Sequence, residues 1–440
     1  MSRLLFVILI AVILATGGCA TGQPQLTSAQ QPTPRQSEPE KAEQSEEEPP
    51  SDEEDPLVYR LLAAPEYLWR GFAYPFKRMS IFYERVALLE RALDFFLNEE
   101  RTGGVYPRFA LGGALSSGIG FTAFHNNLFK QQKKARLSYL IAVRGNQTAD
   151  FSYTDPAVLG SRFKVGTNLL FLDFDEGQFF LGGNRAGEGD LTKFDLEQVS
   201  WDVKVSRPVV GNLRASLRGR FFHADAGGGR SPPTPATVSG IGTSSEAFEV
   251  SPGVLYDTRD SEFRPSTGWL FDSGFAFTEQ VDGRQFRYLG YWADVQRYIP
   301  VFRGNRVLLL RAYLAKLDSL NDRSIPFYEL NLLDLNHGLR GFERGRWRGE
   351  GALLFNVEWR YPVWEQIEGS IFFDEGQVFN DFRDLNTRTF RYSAGGGFRF
   401  VTKRKFSFRV QVAASEDGIL GLLKGDLEFS TGRGPAAGGF

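Results

Sequence analysis

One arginine of this 440-residue chain stands between two glycines in the middle of a long polar segment. Arg340 lies in the pentapeptide Gly-Leu-Arg-Gly-Phe (residues 338–342), inside residues 318–349. An arginine in a confined place can bind two carboxylates through its planar guanidinium while it stays charged. The segment therefore suits a loop that folds inward. The alternative is an ordinary surface turn, in which Arg-Gly pairs are common.

The runs on either side of this segment alternate between apolar and polar residues. One run covers residues 306–317 and the other covers residues 353–361, where Glu358 lies on the polar parity. A period of two is typical of a strand with one apolar and one polar face. In the next run, the motif Phe-x-Asp-x-Gly (residues 372–376) places Asp374 on the same parity as its phenylalanine and glycine. The two strands after the loop therefore each carry a carboxylate that an inward loop can approach.

These three features together resemble a known family. An Arg-Gly-aromatic loop tip, a strand with an inward glutamate and then Phe-x-Asp-x-Gly are similar to the sixth-loop region of the BamA/TamA outer-membrane assembly factors. This superfamily is also called the bacterial surface antigen family, and it includes two-partner secretion translocators. Residues 256–260, 263–265 and 268–269 resemble the family's turn between the eighth and ninth strands. The resemblance covers about residues 105–432.

The resemblance implies a lock between the loop and the interior of a barrel. In the family the loop arginine reaches down the lumen to the aspartate, which implies a pair between Arg340 and Asp374 with Glu358 nearby. We interpret the lock as structural, and the alternative is a functional latch. The residues of this predicted lock are Arg340, Gly341, Phe342, Glu358, Asp374 and Gly376.

Composition favours a barrel of many short strands. The chain has 40 Phe and 48 Gly beside 2 Met, and past the first residues no run of eighteen apolar residues exists that could form a membrane-spanning helix. Alternation predicts sixteen strands, an even number, as a closed antiparallel outer-membrane barrel requires. They are placed near 105–114, 117–126, 134–145, 148–154, 161–173, 197–207, 211–223, 246–257, 267–278, 286–298, 305–317, 351–361, 367–376, 390–401, 405–414 and 424–431.

The predicted fold is all-β: a 16-stranded antiparallel transmembrane β-barrel with a short N-terminal helical segment. Charged residues on one parity of so many strands would need a wide solvent surface in a soluble sandwich. In a membrane the apolar parity contacts lipid and the charged parity lines water. By strand count, the connections 175–194 and 224–245 lie on the same side as 318–349, which the resemblance makes extracellular.

The first hundred residues divide into three predicted segments before the barrel of 102–440. Residues 1–18 form an export signal. Cys19 follows small residues and is the only cysteine, which favours a lipoprotein site at which Cys19 is lipidated; the alternative is cleavage after Ala20. Residues 19–56 are rich in Pro, Glu and Gln and predict a disordered acidic linker that acts as a tether, or alternatively binds a partner.

Residues 57–101 have helical character, with a broad apolar face and aromatic residues mixed with basic ones. They predict helices that lie at the membrane interface, or alternatively pack under the mouth of the barrel. This segment is too short for POTRA modules, which carry strands as well as helices. We therefore expect that the resemblance covers the barrel part only.

Several classes of chemistry are disfavoured. One cysteine rules out an internal disulfide, and the three histidines lie in different segments without partners at catalytic or metal-ligand spacing. No nucleophile elbow or phosphate-binding loop occurs. We expect no enzyme activity, no cofactor, no metal and no nucleic acid. The run Gly395–Gly397 is interpreted as strand positions at which a neighbour or the loop tip packs closely.

Two functions remain open at this stage. In the first, the chain is an outer-membrane barrel that assists the insertion or translocation of proteins, as the resemblance implies. In the second, it is a surface antigen or narrow pore that keeps the family barrel without insertase work. Both predict the bacterial outer membrane, with a periplasmic N-terminus and contact with its lipids. The expected partners are client outer-membrane proteins or a periplasmic protein.

Overall fold

The computed structural model describes residues 96–98, 100, 102–110, 118–142, 145–229, 238–262, 264–301, 306–334, 337–364, 367–401 and 406–427. Nearly all of them belong to antiparallel strands or to the turns between them. Within these ranges, no helix is both long and apolar enough to cross a membrane.

Sixteen of the strands in the described residues form one sheet, in which each strand pairs with its neighbours along the chain. The remaining two, β12 and β13, form a separate hairpin inside the connection between β11 and β14. The strands are β1 (Gly103–Ala110), β2 (Gly118–Leu128), β3 (Lys133–Ala142), β4 (Gln147–Asp155), β5 (Lys164–Phe180), β6 (Leu191–Val210), β7 (Leu213–Gly228), β8 (Thr243–Asp257), β9 (Gly268–Gln280), β10 (Arg287–Pro300), β11 (Val307–Ser319), β12 (Asn331–Leu333), β13 (Trp347–Gly349), β14 (Gly351–Trp364), β15 (Ile367–Phe379), β16 (Arg391–Val401), β17 (Phe406–Ser415) and β18 (Gly418–Leu427).

The prediction of an all-β chain with a large antiparallel sheet is confirmed, but two predicted connections were too wide. The expected loop 175–194 is mostly strand, because β5 continues to Phe180 and β6 begins at Leu191. A register shift between Phe174 and Gly177 interrupts the alternation, and such a bulge hides the continuation of a strand from a search for period two. The expected connection 224–245 is likewise shortened at both ends, since β7 reaches Gly228 and β8 begins at Thr243.

The sheet has an exposed apolar face and a buried polar face. On β6, Trp201 is 55% exposed and Val199 is 39% exposed, whereas Gln198 and Ser200 on the other parity are buried. A sheet in water has the opposite arrangement, because apolar side chains are then the buried ones. Apolar side chains outside and polar ones inside are the pattern of strands that contact lipid.

A long connection covers part of the polar face. We call residues 320–350, between β11 and β14, the inward loop. Its side chains form the apolar core with residues of the surrounding strands. In one cluster Phe327 and Tyr328 pack with Phe194 and Phe222, and in another Leu339, Phe342 and Trp347 pack with Leu354 and Val378. The core of this protein therefore lies between loop and sheet.

Several predictions for the N-terminal part fall outside the described residues. These are the export signal (1–18), lipidation of Cys19, the acidic linker (19–56) and most of the helical segment 57–101. Of that segment, Phe96 has helical conformation, and Leu97 forms an antiparallel bridge with Gly104 of β1.

Candidate functional site

Two glycines shape the tip of the inward loop. Gly338 and Gly341 have φ angles of 98° and 102°, a left-handed conformation that residues with a side chain rarely adopt. The tip also lies against the sheet: a Cβ atom on Gly341 would stand 3.0 Å from the Cβ of Ser393 on β16. The Ser415 hydroxyl on β17 donates a 2.6 Å hydrogen bond to the Gly341 carbonyl. The backbone of the tip is thereby fixed beside Arg340.

Arg340 binds two carboxylates. Its Nε and Nη2 atoms donate to the two oxygens of Asp374 at 2.8 and 2.7 Å, and its Nη1 donates to Glu358 at 2.6 Å. The backbone N–H of Arg340 adds a 3.2 Å bond to Asp374. All three residues are buried, and Asp374 is 0% exposed. This is the bidentate geometry in which arginine and carboxylate interact most strongly.

Neighbouring strands hold the two acids in place. Asp374 on β15 pairs in register with Asn356 of β14, whose side-chain amide donates to Asp374 and to the Gly338 carbonyl, both at 2.7 Å. The guanidinium carbon of Arg340 lies 3.4 Å from the centre of the Phe372 ring, which adds a cation-π contact. Gly395 leaves the room for that ring, since a Cβ atom there would stand 2.6 Å from it. The close packing predicted at Gly395 is therefore observed.

The carboxylates outweigh the effect of burial on Arg340. Burial alone would lower the pKa of the guanidinium, because it penalises the charged form. Asp374 and Glu358 reverse this and raise the pKa of Arg340 above its ordinary value. The two carboxylates therefore favour the charged form of Arg340 in the buried site.

The other two predicted residues pack around the lock. Phe342 is 0% exposed and meets Trp347 edge to face, with ring centres 5.5 Å apart. At Gly376, a Cβ atom would stand 3.0 Å from Leu333 of the inward loop, so the glycine allows the loop to approach β15. The structure thus brings all six predicted lock residues to one place, where the tip of the inward loop meets β14 and β15.

The structure shows a residue that sequence reasoning missed, Asp334. It is 0% exposed and organises the turn before the tip. Its side chain lies 2.7 Å from His337 Nδ1 and accepts a bond from the Gly345 N–H at 3.1 Å. His337 thus has an acidic neighbour in the structure, and the spacing Asp-x-x-His was the local signal for it. Burial alone would raise the pKa of Asp334, but His337 and Arg344 hold it well below its ordinary value.

A pH prediction follows from this shift. A carboxyl whose pKa is lower in the folded than in the unfolded chain stabilises the fold above its unfolded pKa of about 4, and this contribution is lost as the pH falls below that value. We expect the inward loop to become more sensitive to limited proteolysis between about pH 4 and pH 2. Asp334→Asn should reduce this pH dependence and leave the loop more sensitive already at pH 7. A variant with the same pH profile as the wild type would contradict the role of Asp334.

A second ion cluster, also missed, anchors the first part of the inward loop. Glu329 accepts two bonds from Arg220 of β7, at 3.2 and 3.0 Å, and one from the Tyr288 hydroxyl at 3.3 Å. Arg220 also lies 3.5 Å from Glu249, which Arg218 contacts at 2.5 Å. Arg220 is thus shared by two buried carboxylates. No sequence signal links it to Glu329, because 109 residues separate the two.

The last part of the inward loop has its own anchors. Arg346 binds Asp417, between β17 and β18, at 2.6 Å and donates to the Ala186 carbonyl at 2.9 Å. Arg348 donates to the Phe327 carbonyl at 2.6 Å and lies among aromatic rings, and burial lowers its pKa to about 9. The contacts of Glu329 and Arg346 therefore attach the loop in addition to the contact of Arg340.

At the opposite end of the sheet, a shorter connection is also bound to the polar face. Residues 258–267 join β8 to β9, and Arg264 in this connection contacts Glu368 of β15 at 2.5 Å. Arg360 of β14 donates to the Pro265 carbonyl at 2.8 Å and lies 4.0 Å from Glu358. Glu358 thus stands between Arg340 on one side and Arg360 on the other. The cavity beside these side chains has a volume of only about 10 Å³.

The side chains of the site bind one another and position the inward loop. Their donor atoms imply no bound metal ion or cofactor. Among the residues that the structure describes, no group of three His, Cys, Asp or Glu side chains is placed to hold a metal ion. His223 lies 3.8 Å from Glu246 on the apolar, outward parity. The carboxylates of the lock are already occupied by Arg340. The chemistry of the site is therefore ion pairing between a loop and a sheet.

The fold is similar to those of two solved structures. One is BamA from Haemophilus ducreyi lacking POTRA domains 1–3, with a TM-score of 0.54 and 15% sequence identity, over 74% of this chain and 69% of that one. The other is CdiB from Escherichia coli, with a TM-score of 0.50 and 14% identity, over 74% of this chain and 60% of that one. The chain thus spans less than two thirds of the length of CdiB. No curated protein matches its sequence significantly.

A family comparison matches the sequence directly. The matching model describes the Omp85 superfamily domain and covers residues 127–419, which is more than half of the chain and includes the Arg340 lock. The resemblance to outer-membrane assembly factors is therefore confirmed. A BamA-like barrel implies the bacterial outer membrane as its location. This chain belongs to the Omp85 superfamily.

Proposed function

We propose that this protein is an outer-membrane barrel, closed between β1 and β18, that assists the insertion or translocation of other proteins. Its place in the Omp85 superfamily and its likeness to the BamA barrel support this class of function. No catalytic step or cofactor is part of the proposal. Fold alone does not define activity, so the argument depends on the site.

The observation that carries the proposal is the inward loop bound to the sheet by Arg340. A barrel that spans the membrane without a further role does not need a buried arginine with two carboxylates. Buried ion pairs contribute little net stability compared with apolar packing. Such a pair instead favours one particular arrangement of loop and wall. Here it holds the loop tip against β14, β15 and β16, which makes this part of the wall rigid.

A rigid wall on one side leaves the edges of the sheet as the place where a client strand can pair. Within the described residues, β1 and β18 stand at the two ends of the strand order and each pairs with one neighbour. An unpaired strand edge is a template on which another chain can add a strand. In this proposal the seam between β1 and β18 opens and the locked side does not move.

Depletion of the protein followed by an inventory of the outer membrane tests the proposal. We expect a broad loss of other barrel proteins, restored by expression of the wild-type chain. An unchanged inventory with altered leakage of small solutes would contradict the proposal and support a narrow pore. An unchanged inventory with unchanged leakage would support a surface antigen without insertase work.

The pore remains the second candidate because basic side chains line the polar face. Arg218, Arg311 and Arg409 lie on this parity, which would favour small anions. The inward loop and the connection 258–267 both reduce the open space, and Arg218 and Arg311 are bound to Glu249 and Asp294. These contacts favour the insertion or translocation function over conduction.

A further inference from the structure

Basic and apolar side chains are exposed together at one end of the sheet, opposite the inward loop. They come from three neighbouring places: the turn between β2 and β3, the connection between β4 and β5, and the end of β6. We call this set the rim patch. It consists of Phe129, Lys130, Arg162, Phe163, Arg207 and Val209.

The apolar members of the rim patch are exposed. Phe129 is 78% exposed, Val209 is 61% exposed and Phe163 is 42% exposed. Arg207 shares the outward parity of Trp201 and its guanidinium carbon lies 5.3 Å from the centre of the Phe163 ring. An arginine held over an outward aromatic ring suits the boundary between the apolar part of a membrane and its headgroups.

The charge at this end of strands β2 to β7 is strongly positive. Besides the rim patch, Lys134, Lys164 and Arg214 are exposed there. The acidic side chains at this end include Asp155, which Lys133 binds at 3.1 Å, and Glu262 of the connection between β8 and β9, whose charge acts on Lys164. A surface with this excess of positive charge attracts anions.

The opposite end of the same wall has the opposite charge. Asp173, Glu197 and Asp225 stand on three adjacent strands and face each other in register on the outward parity. On β5, β6 and β7 the two ends therefore differ in charge. Such separation is expected where the two ends of the wall meet different surroundings.

We propose that the rim patch binds the headgroups of anionic phospholipids in the membrane leaflet at this end. Lys130, Arg162 and Arg207 bind the lipid phosphates through charge-assisted hydrogen bonds, and Phe129, Phe163 and Val209 enter the region just below the headgroups. This inference rests on the proposed function only for the orientation of the chain in the membrane, which makes this leaflet the periplasmic one. The patch covers the strands that follow β1, so bound lipids would anchor the wall next to the proposed seam.

The test uses the purified full-length chain and native mass spectrometry. The chain is incubated with equal amounts of phosphatidylglycerol and phosphatidylcholine of the same acyl length, and the retained lipids are counted. The rim variant is Lys130→Gln, Arg162→Gln and Arg207→Gln together. The matched control is Arg185→Gln, Arg383→Gln and Arg388→Gln, which removes three exposed arginines at the other end of the sheet. Heat-dependent gel mobility shows that each variant is folded.

We expect the wild type and the control to retain phosphatidylglycerol preferentially, and the rim variant to lose about fivefold in preference for each charge removed. No preference in the wild type, or an equal loss in both variants, would overturn the proposal. So would preferential binding of polyglutamate, since the patch would then fit an acidic polypeptide. The assay does not involve client proteins, so its failure and a failure of the depletion experiment are separate results.

Discussion

Replacing Arg340 by alanine is expected to lower the free energy of unfolding by about 3–5 kcal/mol, the largest effect of any single substitution considered for this protein. The variant leaves Asp374 buried without the guanidinium that binds it, and Glu358 keeps Arg360 at 4.0 Å. The measurement is the temperature at which the chain loses its folded mobility on a gel. Arg388→Ala, at an exposed position on the same side of the sheet, is the matched control and should change little.

Two further variants separate the contact from a general loss of packing. Arg340→Lys keeps the charge but cannot bond both acids in the same fork, so we expect an intermediate loss. Asp374→Ala should also destabilise, and the double variant with Arg340→Ala should be no worse than either single variant, because both remove the same interaction. Additive losses would show that the two residues do not act as a pair.

Replacing Arg220 by alanine is expected to have the second largest effect, also about 3–5 kcal/mol. Arg220 is buried and shared by Glu329 of the inward loop and Glu249 of β8. Without it, Glu329 keeps the Tyr288 hydroxyl as a donor but loses its two bonds from the guanidinium. The same gel measurement applies, together with limited proteolysis of the inward loop, which should become faster.

A substitution of Glu329, which binds Arg220, and a control substitution in the same loop test this prediction further. Glu329→Gln should cost less than Arg220→Ala, because Arg220 then still faces Glu249 at 3.5 Å. Arg323→Ala is the control, since Arg323 lies in the same loop and contacts Glu279 at 3.4 Å in a partly exposed pair. Such pairs contribute about 0–1 kcal/mol. Equal effects of Arg220→Ala and Arg323→Ala would mean that the buried cluster does not hold the loop.

The Arg340 cluster could be predicted from the sequence, whereas the Arg220 cluster could not. Arg340 and Asp374 stand in short motifs whose spacing resembles a family, so their meeting was predictable by comparison. Arg220 and Glu329 stand in no such motif. Asp334 is an intermediate case. Its spacing of three residues from His337 is visible in the sequence, but the burial of its side chain is not.

The class of fold, the number of strands in the large sheet and the polar parity of the most regular strands could be predicted from the order of the amino acids alone. These properties depend on the alternation of neighbouring side chains. This pattern is local and can be recognised without knowledge of the rest of the chain. The bounds of β5 and β6, the path of the inward loop and the charges that it contacts became visible in the three-dimensional fold. The bulge at Glu176 breaks the local period, and the partners of Glu329 and Arg346 lie 109 and 71 residues away. Contacts over such distances follow from strand register and loop path, which no local pattern encodes.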